Sequence, residues 1–129
     1  MMKMEREMSE EKLCFKPLSL EAAAEKLERA KSVLILFHIN PDGDAVGSAF
    51  ALRRSLTELG KRAWCVCASE VPERLWFAMK DQQESVASED IPEDFEHDTV
   101  VSVDTASPSQ LGELYEAYKG KVDLMIDHH

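Results

Sequence analysis

A histidine, an asparagine and two aspartates fall within seven residues, His38 to Asp44, in the stretch HINPDGD. Imidazole and carboxylate groups this close together form a donor set suited to divalent metals. Two later stretches end in groups of the same kind. Asp104 closes VVSVD, and Asp127, His128 and His129 close LMIDHH. If these three ends converge, at least three carboxylates stand together, which is strongly unfavourable unless protons or cations intervene. Two divalent cations sharing a bridging carboxylate relieve the crowding. Such pairs sit roughly 3.5–4 Å apart and activate a water for in-line attack on phosphorus. A mixed shell of imidazole and carboxylate favours Mn²⁺, Co²⁺ or Fe²⁺ over Mg²⁺ and Ca²⁺, which prefer oxygen ligands throughout.

Convergence needs a scaffold, and the chain spells one. Residues 33–37 (VLILF) form a short apolar run between Lys31 and Asn40-Pro41. Such a run suits a strand covered on both faces, as in a parallel sheet. Pro41 and Gly43 break it into a loop. From Asp44 onward, Ala45, Ala49, Leu52, Leu56 and Leu59 are spaced 4, 3, 4 and 3, which predicts a helix over 44–59 with Gly60 as its stop. Upstream, Ser19 is an expected N-cap for a helix over 20–30 with Leu20, Ala23, Ala24 and Leu27 at helical spacing. Downstream, 63–68 and 99–103 read as strands, and 72–79 as a short helix with Leu75, Trp76 and Met79 inward. The sequence Ser107-Pro108-Ser109-Gln110 has the form of a capping box and predicts a helix to about residue 119, with Leu111, Leu114, Tyr115 and Tyr118 inward. Residues 122–126 read as the last strand. Alternation of this kind predicts an α/β fold on a parallel sheet. In such sheets, sites form at the carboxyl ends of the strands, where all three clusters lie.

The totals limit what the chain can do. At 129 residues it holds one domain. Residues 1–18 read as a polar tail or loose helix and 19–129 as the domain. With no apolar run of about 18 residues and a charged N-terminus, neither a membrane span nor a secretory signal is expected, and the cytoplasm is the default location. The formal net charge is −10, which offers no footprint for long nucleic acid. Between Asp81 and Tyr118 there are eleven acids and no Lys or Arg, so a phosphorylated substrate is repelled unless cations invert the local field. Cys14, Cys65 and Cys67 are odd in number, with no C-x-x-C, and read as small buried apolar residues. His97, in the acidic stretch, reads as a solvated histidine.

Other readings of the first loop fit less well. It lacks the glycine and closing glutamate of an EF-hand. Gly43 and Gly47 spell neither G-x-G-x-x-G nor a P-loop. Asp42 and Asp44 could also serve as turn and cap residues.

The three stretches HINPDGDAVGS (38–48), VDTAS (103–107) and DHH (127–129) resemble motifs one, two and three of the DHH phosphoesterases. The resemblance runs from about residue 22 to residue 129. It implies the parallel-sheet, Rossmann-like N-terminal part of a DHH domain. That family includes RecJ-type exonucleases, family II inorganic pyrophosphatases, cyclic dinucleotide phosphodiesterases, and oligoribonucleases that also dephosphorylate 3′-phosphoadenosine 5′-phosphate. The wording of the first motif is most similar to the last two groups. The resemblance implies that His38 and Asp42 hold one Mn²⁺, Asp44 and His128 hold the other, and Asp104 bridges them, with Mg²⁺ or Co²⁺ as substitutes. It gives His129 the scissile phosphate, Asp127 the task of orienting the neighbouring histidines, and Asn40 a hydrogen bond to substrate or ligand. Ser48 and Ser107 are expected to brace the loops. A fourth motif and the DHHA1 domain do not follow, so the chain is expected to be an N-terminal fragment. Small nucleotides or short single-stranded RNA are the expected substrates, with no long duplex bound. A homodimer is left open. A metal-binding remnant without turnover and a pyrophosphatase are the alternatives.

Overall fold

The computed structural model describes residues 2–8, 13–105 and 108–127. The chain runs β1 (Met2–Met8), β2 (Leu13–Pro17), α1 (Leu20–Arg29), β3 (Ser32–Phe37), α2 (Gly43–Glu58), β4 (Arg62–Val66), β5 (Thr99–Val103), α3 (Leu114–Tyr118) and β6 (Leu124–Ile126). Short 3₁₀ turns at Glu73–Ala78, Ser88–Asp90 and Pro108–Leu111 fill the connections. One six-stranded sheet has the order β2-β1-β6-β5-β3-β4. Its β6-β5-β3-β4 portion is parallel, as expected.

The apolar run of β3 occupies the middle of that parallel portion. Successive strand residues face opposite sides, and both sides are covered. Val33, Ile35 and Phe37 pack in one cluster with Ala45, Val46, Ala49 and Phe50 of α2. Leu34 and Leu36 pack on the other side with Leu111, Leu114 and Phe95. Two-sided burial is why the strand is continuously apolar rather than alternating.

The helix signals translate directly. The Ser19 side chain accepts the Ala22 N–H at 3.1 Å, and the Asp42 side chain accepts the Ala45 N–H at 2.9 Å, so both are N-caps. Gly60 follows the C-cap of α2 with φ +84°, the left-handed conformation that ends a helix. The Lys61 ammonium then donates to the carbonyls of Glu28 and Ala30, satisfying acceptors at the end of α1.

Several expectations are corrected. The tail or loose helix expected before residue 18 is instead an antiparallel hairpin, β1 with β2, whose first strand also pairs antiparallel with β6. The sequence Met2-Lys3-Met4-Glu5 does alternate with period two, but Met, Lys and Glu carry helix propensity and mask it. The single helix expected after Pro108 is split, because Gly112 takes φ +61° between the 3₁₀ turn and α3. The capping residue Ser107 lies outside the described residues. Leu59 is the C-cap of α2 and is exposed, as are Leu20 and Trp76, whereas Tyr115 and Tyr118 are half-buried and pack inward against the cluster of Leu111 and Leu114, as expected. Cys65 and Cys67 are buried free thiols, as expected.

β4 lies at one edge of the sheet. Its outer side is closed by one buried side chain. The Gln83 carbonyl oxygen accepts the Cys65 N–H at 2.7 Å, and its amide nitrogen donates to the Cys65 and Ser85 carbonyls at 3.0 and 2.9 Å. Gln83 thus imitates a neighbouring strand and blunts an exposed edge. Gln83→Leu should cost about 1–3 kcal/mol, because two buried backbone groups lose their partner. Urea denaturation should show a lower midpoint at constant slope; an unchanged midpoint would mean that the edge is held by other contacts.

Candidate metal centre

β3 delivers His38 at its carboxyl end, and the chain then turns sharply. Asn40 sits at φ +51°, a conformation that asparagine tolerates better than most residues. The Asn40 N–H donates to Ser69 Oγ at 2.7 Å, and the Ile39 N–H donates to the Gln110 carbonyl at 2.7 Å. The loop is therefore tied to the segment after β4 and to the turn before α3. The Cys67 thiol adds a third tie, 3.3 Å from the His38 carbonyl. Burial pushes that thiol up, which keeps it protonated as the donor.

β5 delivers Asp104 in the same way. Asp104 has φ +52°, and its N–H donates to the Ile126 carbonyl at 2.9 Å, so the turn stays attached to β6. Thr105 is fully buried and its hydroxyl donates to the Val103 carbonyl. Strand pairing of Val103 with Ile126 sets Asp104 and Asp127 side by side as the next residue of each strand, and both are buried.

His38, Asp42 and Asp104 come together. His38 Nε2 lies 3.8 Å from an Asp42 carboxylate oxygen and 3.5 Å from one of Asp104. One ligand atom from each lies within 4.8 Å of the other two. Among the described residues this is the one histidine–carboxylate group with such spacing. The other imidazole nitrogen, Nδ1, is 2.7 Å from the Ile39 carbonyl. A carbonyl accepts only, so Nδ1 carries a proton, and the Nε2 lone pair is the one available to a cation held together with the two carboxylates. Lone pair and carboxylates together are a ligand set, and an Nδ1–H held by a backbone carbonyl is the usual support for a metal-binding histidine. The donor set fits a divalent cation.

The electrostatics of Asp42 agree. The Ala45 N–H bond holds its carboxyl below the usual range; slight burial opposes this, and His38 assists. Asp42 stays ionised at neutral pH. The cap reading and the ligand reading of Asp42 are thus both correct, since the oxygen that caps α2 also faces His38.

The remaining expected ligands divide. Asp44 stands exposed in the first turn of α2 and is not one of the three clustered groups. His128 and His129 lie outside the described residues. His97 is exposed, with its ring edge against Tyr118, away from this group. Ser69, Gln110 and Gly112 support the metal loop and were not foreseen. Gly112 is the informative one. A Cβ there would fall 2.7 Å from Ile39 Cγ2, so a glycine in an otherwise helical pattern was the available signal.

Residues 32–129 match the DHH family, N-terminal domain. Over 98 residues the chain is 37% identical to a bifunctional oligoribonuclease and PAP phosphatase of Thermus thermophilus, a match covering 75% of this chain and 28% of that protein. It is 36% identical over 98 residues to an uncharacterised protein of Methanocaldococcus jannaschii, covering 75% and 29%. The chain thus spans less than a third of the length of these curated relatives. A crystal structure of an exopolyphosphatase-related protein from Bacteroides fragilis superposes with a TM-score of 0.67 at 24% identity, covering 84% of this chain and 34% of that one, which establishes the shared fold. No described helix is long and apolar enough to cross a membrane.

Proposed function

The chain belongs to the DHH family, and from that premise we propose that it is the metal-binding part of a phosphoesterase that acts through two divalent cations, with Mn²⁺ preferred. Its substrates on this reading are small nucleotides and short oligoribonucleotides, cleaved at a phosphodiester or phosphomonoester bond. The observation that carries the reading is the convergence of His38 Nε2 on the Asp42 and Asp104 carboxylates with Nδ1 held by the Ile39 carbonyl. The oligoribonuclease and phosphatase named for the Thermus relative support the substrate class.

On this reading His38 and Asp42 hold one ion, Asp44 and His128 hold the second, and Asp104 serves both. Bound there, the cations lower the pKa of a water and offset charge developing on the phosphate. The protein's own part is positional. Asp42 is fixed by the N-terminus of α2, Asp104 by the β5–β6 register, and His38 by its tautomer. Asp127, buried beside Asp104, orients the histidines that follow it, and His129 contacts the phosphate. Asn40 faces the substrate side of a loop whose backbone Ser69 anchors.

The test compares hydrolysis of a chromogenic phosphodiester, a diadenylate and pyrophosphate by the 129-residue protein with and without Mn²⁺. Mn²⁺-dependent cleavage of either diester, lost on chelation, is expected. Release of phosphate from pyrophosphate alone would reassign the chain as a pyrophosphatase. A folded, Mn²⁺-loaded protein that turns over none of the three would make it a binding module.

A further inference from the structure

We propose that the cleft next to the metal centre is a nucleobase subsite, which takes the uncharged nucleoside end of the substrate by stacking it on Trp76; this rests on the phosphoesterase reading above. The cleft has a volume of about 780 Å³, within the roughly 300–1,000 Å³ of small-molecule sites. It reaches the metal loop through the residues that brace that loop. Cys67 and Ser69 both line it, and these are the residues that hold the His38 carbonyl and the Asn40 N–H.

Two aromatic side chains, Trp76 and Tyr118, also line the cleft. Trp76 is the more telling. Its indole N–H donates to the Val71 carbonyl at 2.9 Å, so the ring is fixed, yet the residue remains 52% exposed. Water-exposed apolar surface held in one orientation is a stacking platform that requires little ordering when a base lands on it.

Charge sets the polarity of the ligand. Five carboxylates line the cleft, Glu84 and Glu113 among them, and no Lys or Arg does. A phosphate is repelled from such walls, whereas a base carrying ring or exocyclic N–H donors finds acceptors there. The cations of the neighbouring centre attract the phosphate instead. A nucleotide is therefore drawn in with its phosphate toward His38 and Asp104 and its base toward Trp76.

The probe is adenosine, which has no phosphate and so reads the subsite apart from the metal chemistry. Saturation-transfer NMR on the 129-residue protein should show contact at the adenine protons, with ribose giving no response. Trp76→Ala should weaken adenosine binding about tenfold, with the far-UV circular dichroism of the native fold. Trp76→Phe, which keeps an aromatic face, should retain most of the binding even if the alanine variant proves unstable. Adenosine binding no better than ribose, or undiminished in a folded Trp76→Ala protein, would overturn the subsite. Diester hydrolysis without adenosine binding would sink the subsite and spare the proposed activity. Adenosine binding without hydrolysis would do the reverse.

Discussion

Replacing Asp104 is expected to remove metal binding from this protein more completely than any other single substitution. Its carboxylate is buried, lies 3.5 Å from His38 Nε2, and is the group proposed to serve both ions. Asp104→Asn is the cleaner variant. Asparagine retains the shape and accepts the φ of +52° that Asp104 holds, so the backbone turn survives while the charge is lost. Asp104→Ala should bind metal as poorly and should also lose about 1 kcal/mol of stability for placing alanine in the left-handed region. Calorimetry with Mn²⁺ should show at least about a 100-fold loss of affinity in both, exceeding the roughly 10–100-fold that follows loss of a partner one step removed from the metal. His129→Ala should keep most of the affinity, because His129 is proposed to contact the phosphate. Wild-type affinity in Asp104→Asn would remove Asp104 from the ligand set.

Why that centre could be read from sequence, and other parts could not, follows from where the information sits. The carboxyl end of a buried strand is a place with few alternatives. VLILF and TVVSV can be little other than two-sided strands, and polar residues directly after them fall on one edge whatever the connections do. His38, Asp42 and Asp104 were legible for this reason. Asp44, given by the resemblance to a second ion with His128, stands two positions beyond Asp42 and outside the cluster of His38, Asp42 and Asp104. The β1–β2 hairpin was illegible because its alternation is written in residues of helical preference. Trp76 reads from sequence as a core residue, because large apolar residues usually go there. The hydrogen bond that holds it at the surface runs to the Val71 carbonyl, and backbone groups carry no sequence signal.

Gly112 tests whether the turn before α3 and the metal loop act as one piece. Gly112→Ala should destabilise the protein by about 2–5 kcal/mol, from a left-handed φ costing about 1–2 and overpacking costing about 1–3. The overpacking is specific. The new Cβ would meet Ile39 Cγ2 at 2.7 Å and Ala68 Cβ at 3.3 Å. Cγ2 branches directly from Cβ of a β-branched residue, so it has little freedom to retreat. Relief must come from the backbone of residues 38–40, which carries the Ile39 carbonyl that fixes the His38 tautomer and the Ile39 N–H bound to Gln110. Mn²⁺ affinity should therefore fall together with stability. Gly60→Ala is the control, since Gly60 also has a left-handed φ, +84°, but open space around its missing side chain. It should show the backbone cost alone, about 1–2 kcal/mol, with metal affinity untouched. Thermal denaturation and Mn²⁺ calorimetry on the pair separate backbone strain from contact. Equal losses in the two variants, with metal binding preserved in both, would mean that Gly112 serves its own turn and nothing beyond it.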